Sequence, residues 1–312
     1  MPDTEYRKGI ILAICAYCFW GVAPLYFKLL THIPATDILV HRVIWSFLFM
    51  IILMKFVGGF GRFKQLLKQP KQLWVLLATS ILIAVNWLIF IWSVNNDQML
   101  DASLGYFINP LFNVLLGMMF LSEKLRKLQW CAVGLAAIGV MVQLISFGSL
   151  PIISLSLAAT FGFYGLLRKK VNIDAKTGLL VETAILLPVA LGYLAFTFDV
   201  NGTANMLNNS TNLNLLLLAA GIVTTIPLLC FSGAAIRIPL STLGFFQYIG
   251  PSIMFVLAIT LYDEAFDIEK GLTFGFIWCA LVIFVADMLL QRQNKKRQNK
   301  KLQSKKPQAT IS

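Results

Sequence analysis

The sequence predicts an all-α polytopic membrane protein, with ten transmembrane helices arranged as two inverted five-helix repeats. Three observations support this prediction: the composition, a series of long apolar segments, and a motif that occurs twice. Of the 312 residues, 58% are hydrophobic and only 13% are charged. Soluble domains average about 45–50% apolar and about 25% charged residues. The composition therefore excludes an ordinary soluble domain.

Ten segments are long and apolar enough to cross a bilayer as helices, which takes about 20 residues each. Their continuous apolar character argues against a barrel, whose strands would alternate polar and apolar residues. The first span lacks the cleavage site of a signal peptide, so we expect it to remain in the mature protein. The predicted spans are 8–30, 37–57, 73–94, 100–121, 128–146, 149–167, 178–198, 213–236, 240–262 and 271–290.

Neither the cysteines nor the net charge indicates a metal site or a nucleic-acid partner. The cysteines are odd in number, match no zinc-ligand spacing and are interpreted as small buried apolar residues. The net charge is +12, and eight of the 26 Lys and Arg residues follow Gln291. We expect residues 291–312 to form a disordered cytoplasmic tail near anionic lipid headgroups. The cysteines within the predicted spans are Cys15, Cys18, Cys131, Cys230 and Cys279.

The distribution of basic residues between loops predicts the orientation of the chain. Lys and Arg accumulate in cytoplasmic loops. Here they occur at the N-terminus and in every second loop, as in the segment Arg168–Lys170 between spans six and seven. The alternate loops hold almost no basic residues, and the last of them is acidic, with Asp263 and Glu264. We therefore expect a multi-pass protein with both termini in the cytoplasm.

A motif in the fourth span recurs in the ninth. The segment YFINPLFNVLLGMMFLSEKL at 106–125 matches QYIGPSIMFVLAITLYDEAF at 247–266, and Pro110 and Pro251 are 141 residues apart. Other Gly, Lys and Thr residues pair at the same offset. Because each half has five spans, an odd number, the second half must enter the membrane in the opposite sense. Inverted repeats of this kind are typical of secondary transporters, whose solute site lies near the midplane between the halves.

Several longer motifs resemble the RarD subfamily of EamA-type proteins, in the drug/metabolite transporter superfamily. They are AYCFWGVAPLYFKLL, DILVHRVIWS, NWLIFIWSVNNDQMLDASLGYFINPLFNVLLG, GFYGLLRKK and PLSTLGFFQYIGP. The resemblance covers residues 8–290 and implies a bacterial inner-membrane secondary transporter, with peripheral fifth and tenth helices. It implies no particular natural substrate, although the subfamily is linked by name to chloramphenicol sensitivity. We place the EamA-like repeats at 1–147 and 148–290.

Ionisable groups inside the spans are costly in a membrane and are therefore candidates for function. His41 and Arg42 lie about one helical turn inside span two, and Glu182 lies about one turn inside span seven. In the functional interpretation, Arg42 attracts an anionic group, and His41 or Glu182 carries a proton. In the alternative, Arg42 and Glu182 extend to the membrane interfaces and have no further role.

Polar and aromatic residues near the prolines are expected to face a central cavity. Tyr106, Asn109 and Asn113 share one face of a helix, because they lie about one turn apart. In the alternative, the amides bond neighbouring helices. Helix breaks with a role in gating are expected at Pro110, Gly250 and Pro251. The predicted solute-binding residues are Trp20, His41, Arg42, Asn86, Trp87, Tyr106, Asn109, Asn113, Glu182, Gln247 and Tyr248.

Together these features predict a secondary transporter of a small organic metabolite or drug-like solute that works by alternating access without a cofactor or metal. The chain has no G-x-x-x-x-G-K-[ST] phosphate loop, so ATP hydrolysis by this chain is unsupported. A coupling proton and a homodimer remain open as partners. An enzyme is disfavoured, because the chain has two histidines and neither an H-E-x-x-H nor a G-x-S-x-G motif. A scaffold or receptor that does not transport is the other alternative.

Overall fold

The structure is a computed structural model that describes residues 3–96, 99–147, 151–197, 203–261 and 268–304. Within these residues all regular secondary structure is helical, with one short 3₁₀ helix, η1 (Lys28–Leu30). The α-helices are α1 (Asp3–Phe27), α2 (Ala35–Val57), α3 (Phe60–Leu66), α4 (Pro70–Asn95), α5 (Met99–Leu121), α6 (Lys127–Phe147), α7 (Ile152–Val171), α8 (Ala175–Thr197), α9 (Thr211–Ala235), α10 (Leu240–Gln247), α11 (Ile249–Leu261) and α12 (Ile268–Ser304).

Each predicted span corresponds to one long helix, or to the consecutive pair α10 and α11. In the described part of the chain, nine helical segments are long and apolar enough to cross a membrane. The remaining predicted span, 149–167, is helix α7, whose last turn carries Arg168, Lys169 and Lys170 and is therefore less apolar. The prediction of a ten-helix, all-α membrane fold is confirmed.

The two repeated proline motifs differ in their backbone. Helix α5 continues without interruption through Pro110, so the break expected there is absent. In the ninth span the helix is interrupted at Tyr248, between α10 and α11. Pro251 has no N–H to offer the Gln247 carbonyl, and its ring crowds that carbonyl, so regular α-helical bonding ends there. A gating role for either motif remains a prediction.

The helices form two compact units that do not coincide with the two sequence repeats. The first unit comprises Met1–Glu123 and Phe147–Phe266, and the second comprises Lys124–Ser146 and Asp267–Ser312. The fifth and tenth spans, α6 and α12, therefore form a unit of their own. Within that unit, the Arg126 Nε donates a hydrogen bond of 2.8 Å to the Asp287 carboxylate. The boundary between the repeats near residue 147 remains a prediction.

Helix α12 extends beyond its predicted span and includes the first part of the basic tail. It ends at Ser304, so the disorder expected after Gln291 is not found in residues 291–304. This segment is rich in Lys, Arg and Gln, which have high helix propensity and allow the transmembrane helix to continue. Residues 305–312 lie outside the described residues.

Contacts within the first unit gather the loops at two ends, as the inverted repeat requires. At one end, Glu5 near the start of α1 pairs with Arg237 in the loop before α10, at 2.8 Å. At the other end, Asp37 near the start of α2 accepts a 3.0 Å hydrogen bond from the Tyr193 hydroxyl near the end of α8. The loops predicted to be cytoplasmic and those predicted to be external are thus separated.

Helices α2 and α9 are in close contact at Gly221. A Cβ atom at this position would lie 2.5 Å from the Trp45 carbonyl carbon and 2.7 Å from its oxygen. The Ser46 hydroxyl also donates to the Gly221 carbonyl at 3.3 Å. Because the contact involves backbone atoms, only glycine fits there without separating the two helices.

Candidate solute site and buried charge network

Arg42 lies inside the helix bundle. Its side chain is only 6% exposed, and its Nε donates a 2.8 Å hydrogen bond to the Thr224 Oγ1 of α9. Its guanidinium carbon is 4.4 Å from the centre of a Trp87 ring and 5.3 Å from that of Phe27. Three other helices, α1, α4 and α9, therefore supply contacts to this cation on α2. The alternative in which Arg42 extends to the membrane interface is not what the structure shows.

Aromatic side chains complete the surroundings of Arg42. Tyr26 and Tyr106 are close enough to interact with it electrostatically. The Tyr106 ring packs edge to face on Phe90, with 5.8 Å between centroids. Tyr26 uses its hydroxyl to donate to the Leu216 carbonyl at 2.7 Å. The structure thus brings together three residues that the sequence predicted separately, namely Arg42, Trp87 and Tyr106.

The predicted amides of α5 bond neighbouring helices. The Asn109 side-chain amide donates to the Ala158 carbonyl of α7 at 2.9 Å. The Asn113 amide donates to the Asn109 side-chain oxygen at 2.8 Å and to the Gln247 side-chain oxygen at 3.3 Å. All three amide side chains are buried. These bonds favour the packing role that the sequence analysis left open for the amides.

Asn86 and Tyr248 also direct their polar groups to neighbouring helices. The Asn86 amide donates to the Leu157 carbonyl at 3.0 Å and to the Thr160 hydroxyl at 2.9 Å. The Tyr248 hydroxyl donates to the Phe107 carbonyl of α5 at 3.2 Å. The candidate site therefore shifts away from the α5 amide face and toward Arg42.

Trp20 belongs to an aromatic cluster between α1, α7 and α9. Its ring centroid lies 5.6 Å from that of Phe161 and 5.9 Å from that of Phe231. Phe231 in turn stacks on Tyr164 at 5.9 Å. Trp20 is half-buried, and the cluster extends from it to a buried charge network around Glu182.

That network places Glu182 in the bundle interior and not at the inner interface. Its side chain is 1% exposed. One carboxylate oxygen accepts from the Thr79 hydroxyl at 2.6 Å, and the other accepts from the Tyr164 hydroxyl at 3.3 Å. The Arg168 Nη1 lies 3.6 Å from the same carboxylate. Helices α4, α7 and α8 are therefore linked through one buried carboxylate.

Arg168 is the residue of this network that the sequence analysis missed. It was counted as one of three consecutive basic loop residues, but its side chain is fully buried. Its three guanidinium nitrogens are enclosed, and none of them has a hydrogen-bond partner among the described residues. A Cβ atom at Gly178 would lie 1.8 Å from Nη1, so the missing side chain at position 178 makes room for the guanidinium. The spacing of Arg168 one turn after Tyr164 was the available signal.

His41 and Asp37 lie near the start of α2. His41 is buried, and its Nδ1 accepts from the Trp45 Nε1 at 3.3 Å. Its Nε2 has no hydrogen-bond partner in the described part of the chain. Asp37 accepts from the Tyr193 hydroxyl at 3.0 Å and from the Thr203 hydroxyl at 2.5 Å. Thr203, in the loop before α9, is thereby attached to α2.

Replacing Thr203 by valine is expected to weaken the attachment of this loop to α2, because it removes the hydrogen bond to Asp37. The change leaves one Asp37 oxygen buried without its donor, which costs about 1–3 kcal/mol of unfolding free energy. Thr197→Val is the matched control, because among the described residues the Thr197 hydroxyl bonds the Tyr193 carbonyl of its own helix and no other group. Unfolding in mixed micelles measures both variants. Equal stability of the two would contradict the structural role of the Asp37 contacts.

The described residues include no group of three or more His, Cys, Asp or Glu side chains placed to hold a metal ion.

The architecture is that of a multi-pass membrane transporter: an all-helical bundle in which spans of both repeats meet around a buried arginine. Comparisons with known proteins agree with this class. Residues 7–145 match the EamA-like transporter family.

Relatives resemble the chain over nearly its whole length. Protein RarD of Salmonella typhi is 57% identical over 295 residues, which cover 95% of this chain and 100% of that protein. A protein of Vibrio cholerae named as an uncharacterized transporter is 58% identical, over 92% of this chain and 95% of its own. The chloramphenicol-sensitive protein RarD of Pseudomonas aeruginosa is 28% identical, over 93% and 98% respectively.

One solved crystal structure is 15% identical and superposes with a TM-score of 0.68, over 88% of this chain and 96% of that one. This likeness concerns the fold alone. The chain belongs to the EamA-like transporters and, within them, to the RarD subfamily.

Proposed function

We propose that this protein is a secondary active transporter that carries a small organic metabolite or drug-like solute across the bacterial inner membrane by alternating access. The observation that carries the proposal is the position of Arg42, which contacts residues of both repeats inside the bundle. Transporters built from inverted repeats bind their solute between the repeats. The name of the Pseudomonas aeruginosa relative makes chloramphenicol one solute to test.

The two repeats suggest how access could alternate. At the 141-residue offset, α8 is the equivalent of α2 and α4 is the equivalent of α9. The tight α2–α9 contact at Gly221 therefore has a counterpart between α8 and α4. There Ser80, the equivalent of Gly221, reaches the Glu182 carbonyl through its hydroxyl at 3.4 Å. In the proposed cycle the α2–α9 contact opens as the α4–α8 contact tightens.

Glu182 is the proposed carrier of a coupling proton. A buried carboxylate can gain a proton at modest cost, because burial disfavours the charged form. Protonation would remove the negative charge beside Arg168 and change the hydrogen bonds that join Glu182 to Thr79 and Tyr164. These partners lie on α4 and α7, so the proton state of Glu182 can influence how these helices pack. His41 is the second candidate, because its Nε2 has no hydrogen-bond partner among the described residues.

A scaffold or receptor that does not transport is the competing function. The interhelical bonds of Asn86, Asn109 and Asn113 suit such a protein as well as they suit a transporter. Arg42 distinguishes the two, because a purely structural cation would be expected to have a protein carboxylate beside it. An enzyme is disfavoured, since the family is a family of transporters.

The orientation of the chain provides an independent prediction. We expect both termini in the cytoplasm, because the basic loops lie there. In a cysteine-free variant, single cysteines in the loops between α4 and α5 and between α8 and α9 should react with an impermeant thiol reagent outside intact cells. A cysteine at Lys64 in α3 is the control and should stay unlabelled. Labelling of that position from outside would contradict the orientation and the inverted repeat.

A solute screen tests the proposed function. Purified protein is heated with a metabolite and drug library that includes chloramphenicol, and the solutes that raise its melting temperature are then measured for flux into proteoliposomes. We expect at least one solute to bind and to be transported. Arg42→Gln should lower its flux at least tenfold, whereas Arg62→Gln, a change of an exposed arginine on α3, should not. Equal flux in the wild type, Arg42→Gln and Arg62→Gln would contradict a solute site at Arg42.

A further inference from the structure

We propose that the transported solute is a monocarboxylate with an apolar body, and that Arg42 binds its carboxylate through the two terminal guanidinium nitrogens. This inference rests on the proposed transport function and deepens it, because it names the chemical class of the solute. It follows from the charge balance around Arg42, the geometry of its guanidinium, and a comparison of the two repeats.

The charge of Arg42 is not balanced by the described part of the protein. Arg42 is nine-tenths or more buried, yet among the side chains that the structure describes no carboxylate lies within 4.0 Å of its guanidinium. A buried cation is costly unless an anion accompanies it. The other buried arginine, Arg168, has Glu182 at 3.6 Å. An anionic solute would supply the partner that Arg42 lacks.

The orientation of the Arg42 guanidinium leaves one edge available. The guanidinium carbon lies over the Trp87 and Phe27 rings, at 4.4 and 5.3 Å from their centres, and Thr224 accepts from Nε. The terminal nitrogens are not among the fully enclosed polar atoms without a partner, in contrast to those of Arg168. Arginine binds carboxylate best through two parallel in-plane hydrogen bonds, and stacking on aromatic rings does not obstruct that edge. The site is therefore prepared for a bidentate carboxylate.

The two repeats differ at the position that Glu182 occupies in the second repeat. Glu182 of the second repeat corresponds to His41 of the first at the 141-residue offset. At the same offset Arg168 corresponds to Phe27, so the second repeat has a buried arginine with its own carboxylate where the first repeat has a phenylalanine and an imidazole. Arg42 therefore has no carboxylate placed for it as Glu182 is placed for Arg168, and in the proposal the solute supplies the negative charge in each cycle.

The walls around Arg42 define the rest of the solute. Trp87 and Phe27 present aromatic rings to the guanidinium, and Tyr26 and Tyr106 interact with it electrostatically. Aromatic rings stack well on other rings and on apolar groups. A single guanidinium balances a single negative charge. These features favour an aromatic or similarly apolar monocarboxylate over a sugar, a polyphosphate or a cation.

Matched acid and amide pairs test the inference on the purified full-length protein. The probes are phenylacetate with phenylacetamide, and indole-3-acetate with indole-3-acetamide, because each pair differs in charge and hardly in shape. Ligands that bind the folded state raise the melting temperature in a concentration-dependent way. In the wild type we expect each acid to act at a concentration at least tenfold lower than its amide. Arg42→Gln should remove this preference, and Arg62→Gln should keep it.

Arg42→Lys is the second variant, since it keeps the charge but loses the planar fork, and we expect it to retain part of the preference. Equal action of acids and amides on the wild type overturns the inference, even if Arg42→Gln does not fold. A preference that persists unchanged in Arg42→Gln also overturns it. Transport of a neutral or cationic hit from the library with no effect of the acids overturns the solute class but leaves the proposed function intact. A wild type that binds and transports nothing overturns the proposed function itself.

Discussion

Replacing Gly221 by alanine is expected to lower transport at least tenfold and to destabilise the protein. The added Cβ would lie 2.5 Å from the Trp45 carbonyl carbon and 2.6 Å from the Trp45 Cβ. A clash with backbone cannot be relieved by a rotamer change, so α2 and α9 must separate. Overpacking of this kind costs about 1–3 kcal/mol of stability. Because the α2–α9 contact is proposed to open and close in each cycle, the variant should favour the open arrangement.

Gly192→Ala is the matched control for this substitution. Gly192 lies within α8, and a Cβ atom added there would meet no described atom of another helix within 4 Å. Alanine should therefore be tolerated there and should stabilise the helix by up to about 1 kcal/mol. Initial rates of flux and melting temperatures are measured for both variants. Similar behaviour of the two would show that the α2–α9 contact is neither tight nor part of the cycle.

Replacing Arg168 by methionine should cost about 3–5 kcal/mol of unfolding free energy, because it leaves the buried Glu182 carboxylate without its cation. Glu182→Met should have a cost of similar size, because it leaves the Arg168 guanidinium buried without an anion. The double variant should recover much of the loss, since apolar residues of similar volume avoid the desolvation of both charges. A double-mutant cycle of unfolding free energies measures this recovery.

The same double variant tests the coupling proton. If Glu182 carries the proton, flux in the double variant should no longer respond to a pH gradient across the liposome membrane, although the protein is folded. Additive losses of stability in the cycle would show that the two charges do not interact. A response to the pH gradient that persists in the double variant would exclude Glu182 as the carrier and favour His41.

The sequence predicted the spans well because hydropathy is a local property. Each predicted span lies on a described helix. Because each half has an odd number of spans, the second half was predicted to be inverted. The contacts that gather the loops at two ends of the first unit agree with this prediction. Arg42, Trp87 and Tyr106 were predicted separately as site residues by local reasoning, because each interrupts an apolar helix with a polar or aromatic group. Their proximity is seen only in the structure. The cost of such groups in a membrane indicates function or specific packing.

Long-range partners could not be predicted in this way. Asn109 bonds the Ala158 carbonyl 49 residues away, and no local pattern distinguishes this bond from contact with a solute. Arg168 stands beside Lys169 and Lys170 in the sequence, yet its side chain alone of the three is fully buried. Its inward orientation depends on Gly178 of the next helix, which is visible only once the two helices are packed.

The central claim is that the protein carries a solute past Arg42, and solute counterflow tests it most directly. Proteoliposomes are loaded with unlabelled solute, chosen from those that stabilise the purified protein, and diluted into labelled solute. A carrier that works by alternating access should accumulate the label transiently above its external concentration. Arg42→Gln should abolish this accumulation while the melting temperature of the free protein stays near that of the wild type. Stabilisation by solutes without counterflow in the wild type would contradict transport and identify a receptor or scaffold.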